Sequence, residues 1–188
     1  MRVLIAEDES LIRLDLKAML ERAGLEVVAE ARDGAEALEL SRSEQPDLAI
    51  LDVKMPRLDG IEAARKMLDE RPIPIVIVSA FTERVLVERA AEAGVFGYLA
   101  KPFREDDLLP AVATAQARFE ELAAVREQVD SLADALASRK AIERAKGILM
   151  EKQALTEDAA FARLRKASQV SGRPMRVIAE AVIDTMTA

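Results

Sequence analysis

The chain has 188 residues, of which 51% are hydrophobic, and it contains neither cysteine nor histidine. That length allows one large domain or two small ones, and the missing residue types exclude disulfides, thiol nucleophiles and histidine-based metal sites or general bases. Residues 1–138 carry 17 Lys or Arg against 28 Asp or Glu, whereas residues 139–188 carry ten against six. A net charge of −11 followed by one of +4 indicates two modules with different partners.

No stretch of the sequence is apolar for long enough to predict a membrane span. The first apolar run, from Val3 to Ala6, meets acidic residues at once, which is unlike a signal peptide. A membrane-spanning helix needs roughly 18 apolar residues in succession, and no run approaches that length. We therefore expect a cytoplasmic protein without a membrane partner.

Five short apolar runs alternate with helical patterns over the first 103 residues. The runs are rich in Leu and β-branched residues without clear polar alternation, as expected for strands that are covered on both faces. They span residues 2–6, 27–31, 48–51, 75–79 and 97–100. This (βα)₅ order predicts an α/β, flavodoxin-like, doubly wound parallel sheet with right-handed crossovers.

The segments between the runs carry helix signals. Asp33 and Asp59 each stand three residues before a Glu, which predicts the N-caps of the second and third helices. Residues 83–93 form the predicted fourth helix, closed by Gly94, and a fifth begins in the acidic stretch 105–107. The first helix is predicted to face the core through Leu11, Leu14, Ala18 and Met19.

Polar residues stand where the apolar runs end. Glu7 and Asp8 follow the first run, Asp52 follows the third, Ser79 ends the fourth and Lys101 follows the fifth. Sites in such sheets lie beyond the carboxyl ends of the strands, so we expect these side chains at one rim. Three clustered carboxylates favour a hard cation such as Mg²⁺. A carboxylate beside Mg²⁺ can accept a phosphoryl group, and a lysine ammonium pairs with phosphate.

Four blocks of the first 120 residues resemble those of a response-regulator receiver domain. They read VLIAEDE, LDVKMPRLDG, VIVSA and GYLAKPF, in that order. The resemblance implies that Asp52 is the phosphoacceptor and that Asp8 and Asp52 are side-chain Mg²⁺ ligands. It further implies that Glu7 acts through water and that Lys54 contributes its backbone carbonyl.

The same resemblance assigns three further residues. Ser79 and Lys101 would contact the phosphoryl group, and Tyr98 would be the switch residue whose rotamer follows Ser79. Many receivers have Asp where Glu7 stands and Thr where Ser79 stands; both replacements keep the atoms that the chemistry needs.

The predicted fifth helix continues past the receiver into a linker at residues 121–138. Five apolar residues there are spaced 3, 4, 3 and 4, which makes an a/d seam of about two heptads. They are Leu122, Val125, Val129, Leu132 and Leu136. Two interpretations remain open: a helix that packs on its own chain, or a signalling helix whose seam forms a homodimer on phosphorylation.

Residues 139–188 predict a small all-α domain of three helices. Thr156 is the expected N-cap of the second helix, which ends near Gly172, and Pro174 opens the third. On composition alone, the basic residues here form either a solvated face or a nucleic-acid surface.

The stretches AKGILM and AFARLRKAS of this module resemble the ANTAR domain, a three-helix RNA-binding module found behind receivers. The resemblance implies binding to RNA with paired short stem-loops and an outcome of transcription antitermination. We predict RNA contacts at Arg144, Lys146 and Arg165, with Gly147 allowing close backbone approach.

These inferences combine into a cytoplasmic two-component response regulator that a sensor histidine kinase phosphorylates. We expect no enzymatic activity beyond slow self-dephosphorylation. Two alternatives stay open. One is an Asp-nucleophile phosphatase, which would need a second acid two residues after the nucleophile, where Lys54 stands. The other is a receiver whose output module binds DNA or a protein.

Overall fold

The computed structural model describes residues 1–80 and 84–187. The chain forms two compact units, Met1–Ala123 and Ala124–Ala188. Residue Glu83, the predicted start of the fourth helix, lies outside the described residues. The predicted domain boundaries after residues 120 and 138 stay a prediction.

The first unit is built on a five-stranded parallel sheet with the order β2-β1-β3-β4-β5. The strands are β1 (Arg2–Ala6), β2 (Glu26–Ala31), β3 (Leu48–Asp52), β4 (Ile75–Ser79) and β5 (Gly97–Ala100). Strands β3 and β4 are buried at every residue, which explains their unbroken apolar sequences. The predicted fold class is confirmed.

Helices cover both faces of the sheet. They are α1 (Ser10–Arg22), α2 (Gly34–Glu44), α3 (Gly60–Glu70), α4 (Arg84–Glu92) and the 49-residue α5 (Glu105–Gln153). Leu16 and Leu20 of α1 and Leu108 of α5 share one core cluster with Val3 and Ile5 of β1. The opposite cluster joins the other face of the sheet to α2, α3 and α4. Helices therefore support the sheet, and the rim at the carboxyl ends of its strands, from both faces.

The core-facing side predicted for α1 is wrong at Leu11 and Leu14 and right at Met19. Leu11 and Leu14 are 83% and 63% exposed, whereas Leu16, Met19 and Leu20 are buried. The helix carries two apolar stripes that both satisfy the helical period, and only one of them can face the sheet. The other stripe leaves leucines in solvent.

The predicted caps of α2 and α3 are confirmed. The Asp33 carboxylate accepts hydrogen bonds from the Ala35 and Glu36 N–H groups at 2.9 and 3.0 Å. The Asp59 carboxylate accepts one from the Glu62 N–H at 2.9 Å. Each cap satisfies donors that a helix N-terminus leaves unpaired.

In the second unit, the end of α5 packs with α6 (Glu157–Ser171) and α7 (Met175–Thr187). Its buried core consists of Ala145, Leu149, Ala160, Leu164 and Ala179. The predicted caps of α6 are confirmed, because Thr156 Oγ1 accepts the Ala159 N–H and Gly172 adopts a left-handed φ of 67°.

The seam residues of the linker are solvent-exposed. Exposed fractions range from 39% at Leu122 to 71% at Leu132. Within the described parts of the chain, no helix is both long and apolar enough to cross a membrane.

Candidate functional site

The carboxyl ends of the strands place the predicted site residues along one rim. Asp52 is the last residue of β3 and Ser79 the last of β4. Glu7 follows β1, and its N–H donates to the Ala31 carbonyl at 3.0 Å. Lys101 follows β5, and its N–H donates to the Ser79 carbonyl at 2.8 Å. Parallel pairing therefore brings these four segments together from positions distant in sequence.

Three carboxylates meet at this rim. One oxygen from each of Glu7, Asp8 and Asp52 lies within 4.8 Å of the others. Glu7 and Asp52 are only 1% and 6% exposed, whereas Asp8 is exposed. Lys101 reaches into the cluster, with its Nζ 2.6 Å from Glu7 Oε2 and 3.0 Å from Asp52 Oδ1.

The pKa values of the cluster reflect burial first and neighbouring negative charge second. Burial raises the pKa of Glu7, and the charge of Asp52 adds to this, against the hydrogen bond from Lys101. Burial likewise raises the pKa of Asp52, with a contribution from Asp8. Burial alone would lower the pKa of Lys101, but Glu7 and Asp52 outweigh it and hold that pKa above its ordinary value. One ammonium therefore does not neutralise the cluster, and a further cation is favourable.

The donor set fits a magnesium ion. All three side chains offer hard oxygen ligands, which Mg²⁺ prefers, and the exposed Asp8 leaves one side of the cluster open to water. Asp8 and Asp52 would hold the ion directly, Glu7 through water and Lys54 through its backbone carbonyl. The ion would screen the carboxylates and the charge of a phosphoryl group.

The remaining predicted receiver residues lie on β4 and β5, the strands that lead to this rim. Ser79 is 1% exposed at the end of β4. Tyr98 pairs in register with Ile77 and is partly buried against the core cluster that contains Leu51. Their roles as phosphoryl contact and switch residue stay predictions.

A cleft of about 520 Å³ opens beside Lys101. Leu11, Ile12 and Asp15 of α1 line one part of it, and Phe103 lines another. The cleft therefore adjoins the rim at Lys101, and the exposed Leu11 lies on its wall.

Two rim interactions were not predicted from the sequence. Arg13 Nη1 donates to the Glu7 backbone carbonyl at 2.5 Å. Arg57, in the loop after Asp52, forms an ion pair with Asp33. Both pairs join residues whose proximity depends on the folded chain, and no local motif indicates them.

The predicted RNA-contact residues differ in accessibility. Arg144, Gly147 and Arg165 are exposed. A contact with RNA at Lys146 implies an exposed side chain, and that expectation is wrong, since the residue is 8% exposed. Its ammonium lies 2.6 Å from Glu157 Oε1 and 3.1 Å from Glu143 Oε1, so it ties α5 to α6. Its contact with RNA stays a prediction.

Comparison with known families settles what kind of protein carries this site. The model of the response regulator receiver domain matches residues 3–113, and the model of the ANTAR domain matches residues 130–183. The chain belongs to the response-regulator family. Its output module is an ANTAR domain, so this response regulator has an RNA-binding output. A receiver implies a histidine kinase as partner, and receivers generally bind Mg²⁺ at such an acidic rim.

Individual relatives agree with this assignment. The transcriptional regulatory protein PdtaR of Mycobacterium tuberculosis is 49% identical over 185 residues, which cover 98% of this chain and 90% of that protein. The chemotaxis protein CheY of Bacillus subtilis is 38% identical over 113 residues, or 59% of this chain and 93% of CheY. The receiver domain of NarL from M. tuberculosis superposes with a TM-score of 0.58 at 36% identity, covering 60% of this chain and 92% of that chain.

Proposed function

We propose that this response regulator is a cytoplasmic, phosphorylation-dependent regulator that binds RNA stem-loops and promotes transcription antitermination. The observation that carries the first half is the cluster of Glu7, Asp8 and Asp52 within 4.8 Å, with Lys101 at 3.0 Å from Asp52. The ANTAR output supports the second half.

Asp52 accepts a phosphoryl group from the phosphohistidine of a sensor kinase. An Asp52 carboxylate oxygen attacks phosphorus, an O–P bond forms, and the N–P bond breaks as its electron pair returns to the imidazole. In the unphosphorylated protein the Lys101 ammonium forms ion pairs with both Glu7 and Asp52. After phosphorylation it pairs with a phosphoryl oxygen. We propose no catalytic turnover beyond slow loss of this group.

The kinase docks beside the cleft that borders Lys101. Leu11 lines that cleft, and Leu14, three residues further along α1, is exposed as well. Apolar surface of this kind favours a partner protein. The phosphohistidine must reach Asp52 itself, so the docking face has to adjoin the rim.

Phosphorylation shifts a two-state receiver, with Ser79 and Tyr98 following the new charge. The exposed seam of α5 supports transmission by homodimerisation, because Val125, Val129 and Leu132 are exposed and the same helix of a second copy would bury them.

The RNA surface consists of Arg144, Gly147 and Arg165. Apart from its neighbours and the nearby backbone of its own helix, a Cβ at Gly147 would meet no atom of the described chain within 4 Å, so internal packing does not require glycine there. Glycine inside a helix costs about 1 kcal/mol relative to alanine. Glycine at this position is useful if an RNA backbone approaches the helix closely, because no side chain stands in its way.

The test is RNA binding by the full chain with and without acetyl phosphate and Mg²⁺. The probe is an RNA with two short hairpin stem-loops, and duplex DNA of equal length is the comparison. We expect phosphorylation to tighten RNA binding about tenfold, a typical allosteric coupling, and expect no response in Asp52→Asn. Equal affinity with and without acetyl phosphate would contradict phosphorylation dependence, and preference for the duplex would favour a DNA-binding output.

The Gly147→Ala variant, measured in the same experiment, tests the proposed RNA surface. Alanine should stabilise α5 by about 1 kcal/mol yet weaken RNA binding about fivefold, because the methyl group overpacks the contact. Arg42→Ala, which removes a charge from the first unit, is the control. Unchanged RNA affinity in Gly147→Ala would remove this face from the RNA surface.

A further inference from the structure

The loop that follows the phosphoacceptor, residues 53–59, is fastened to the turn that precedes α2. Arg57 Nε donates to Asp33 Oδ2 at 2.8 Å, and Arg57 Nη2 donates to the same oxygen. The Asp33 side chain is 4% exposed, whereas that of Arg57 is 62% exposed. The exposed cation therefore covers a buried anion 24 residues away.

The two Asp33 oxygens have separate tasks. Oδ1 accepts the N–H groups of Ala35 and Glu36 and caps α2. Within residues 1–80 and 84–187, Oδ2 accepts hydrogen bonds only from Arg57. Capping needs one oxygen, so the ion pair is an additional feature that the helix itself does not require.

A backbone contact reinforces the pair. The Gly34 N–H donates to the Leu58 carbonyl at 3.1 Å, and a Cβ at Gly34 would lie 2.4 Å from that oxygen. Only glycine permits this approach. Arg57 itself has a φ of 63°, in the left-handed region that is unfavourable for residues other than glycine. The ion pair offsets part of that cost.

The far end of the loop is closed against the phosphoacceptor strand. The Gly60 N–H donates to the Val53 carbonyl at 3.0 Å. A Cβ at Gly60 would lie 1.9 Å from the Asp52 carbonyl oxygen, so glycine is required here as well. The loop is thus held at both ends, and Lys54 lies between the two attachments.

We propose that the Asp33–Arg57 ion pair is a positioning device for phosphoryl transfer, which fixes loop 53–59 so that the Lys54 carbonyl is presented to a divalent cation at the Glu7–Asp8–Asp52 cluster. This inference rests on the proposed function, because it concerns the same site. Asp33 and Arg57 touch neither the cation nor the phosphoryl group; they act through the backbone of the loop.

The test uses the full chain and the variants Arg57→Gln, Arg57→Lys and Asp33→Asn. Asparagine keeps an Oδ1 for capping but removes the charge. Two quantities are measured: Mn²⁺ affinity of the unphosphorylated chain, by electron paramagnetic resonance, and the Mg²⁺ dependence of labelling by acetyl phosphate. Arg65→Gln is the matched control, because Arg65 has a similar exposure of 58% and pairs with Glu62 outside the loop.

We expect Arg57→Gln and Asp33→Asn to weaken Mn²⁺ binding about tenfold and to raise the half-saturating Mg²⁺ concentration equally. The labelling rate at saturating Mg²⁺ should change less than about twofold. Arg57→Lys should restore part of the affinity, and Arg65→Gln should match the wild type. A general loss of structure would instead lower the maximal rate.

Wild-type Mn²⁺ affinity and Mg²⁺ dependence in both Arg57→Gln and Asp33→Asn would overturn the positioning role, while normal labelling of Asp52 in the same samples would leave the proposed function standing. Absence of labelling at Asp52 in the wild-type chain would overturn the proposed function, and the positioning role would fail with it.

Discussion

Two lysines, one in each unit, have nearly the same arrangement and different surroundings. Lys101 and Lys146 have side chains that are 12% and 10% exposed, and each contacts two carboxylates. The partners of Lys101, Glu7 and Asp52, are 2% and 8% exposed. The partners of Lys146 are 59% and 67% exposed.

The pKa directions follow from that difference. Burial raises the pKa of Glu7 despite the hydrogen bond from Lys101. The hydrogen bond from Lys146 lowers the pKa of Glu157, where burial is a minor influence. An ammonium between buried carboxylates belongs to a site with excess charge, whereas one between hydrated carboxylates fastens two helices. The burial of the carboxylate partners, more than that of the lysine, distinguishes a lysine in a reactive site from a lysine that links two helices.

The largest effect that this comparison predicts is on stability without Mg²⁺. Lys101→Met should destabilise the unit Met1–Ala123 by about 3 kcal/mol, because it leaves buried carboxylates without their cation. Lys146→Met should destabilise the unit Ala124–Ala188 by less, because water still solvates Glu143 and Glu157. Native-state hydrogen exchange as a function of urea reports the two units separately.

Equal losses in the two variants would contradict the comparison. The Lys146→Met variant has a second use, since RNA affinity can be measured on it. Unaltered affinity and an unaltered salt dependence would show that Lys146 makes no phosphate contact.

A smaller effect concerns pH. The folded-state pKa of Glu7 is raised above 4.5, so its contribution to stability is complete below about pH 4.5 and is lost as pH rises through the raised pKa. The folded-state pKa of Glu157 is lowered, so its contribution is present above about pH 4.5 and is lost as pH falls through the lowered pKa.

The variants Glu7→Gln and Glu157→Gln should therefore respond to pH with opposite signs. As pH rises from 4 to 7 in Mg²⁺-free buffer, the free energy of unfolding of Glu7→Gln should increase relative to that of wild type. Over the same range, that of Glu157→Gln should decrease relative to wild type. Urea unfolding across this range measures both. If the stabilities of the two variants changed with pH in the same direction, partner burial would not account for the difference between the Lys101 and Lys146 sites.

The sequence was sufficient to predict the fold and the rim of the sheet. Strands β3 and β4 are buried on both faces, so their apolar runs are unbroken, and the polar residue that ends each strand stands out. Asp52 and Ser79 were predicted from that contrast. The caps at Asp33 and Thr156 were predicted because capping is local and involves residues three apart.

Features that depend on tertiary packing were not predicted. The core-facing side of α1 was wrong at Leu11 and Leu14 because two stripes satisfy the same period, and only the folded sheet selects Leu16 over Leu14. The burial of Lys146 depends on Glu157, eleven residues away on another helix. The pairing of Asp33 with Arg57 depends on the packing of two loops, which no spacing rule indicates.

The most direct test of the central claim is to locate the phosphoryl group. The full chain is incubated with acetyl phosphate and Mg²⁺, and mass spectrometry of its peptides identifies the modified residue. We predict a single phosphoryl group on Asp52 that requires Mg²⁺ and is absent in Asp52→Asn. A phosphoryl group on another residue, or equal labelling of Asp52→Asn, would contradict the account.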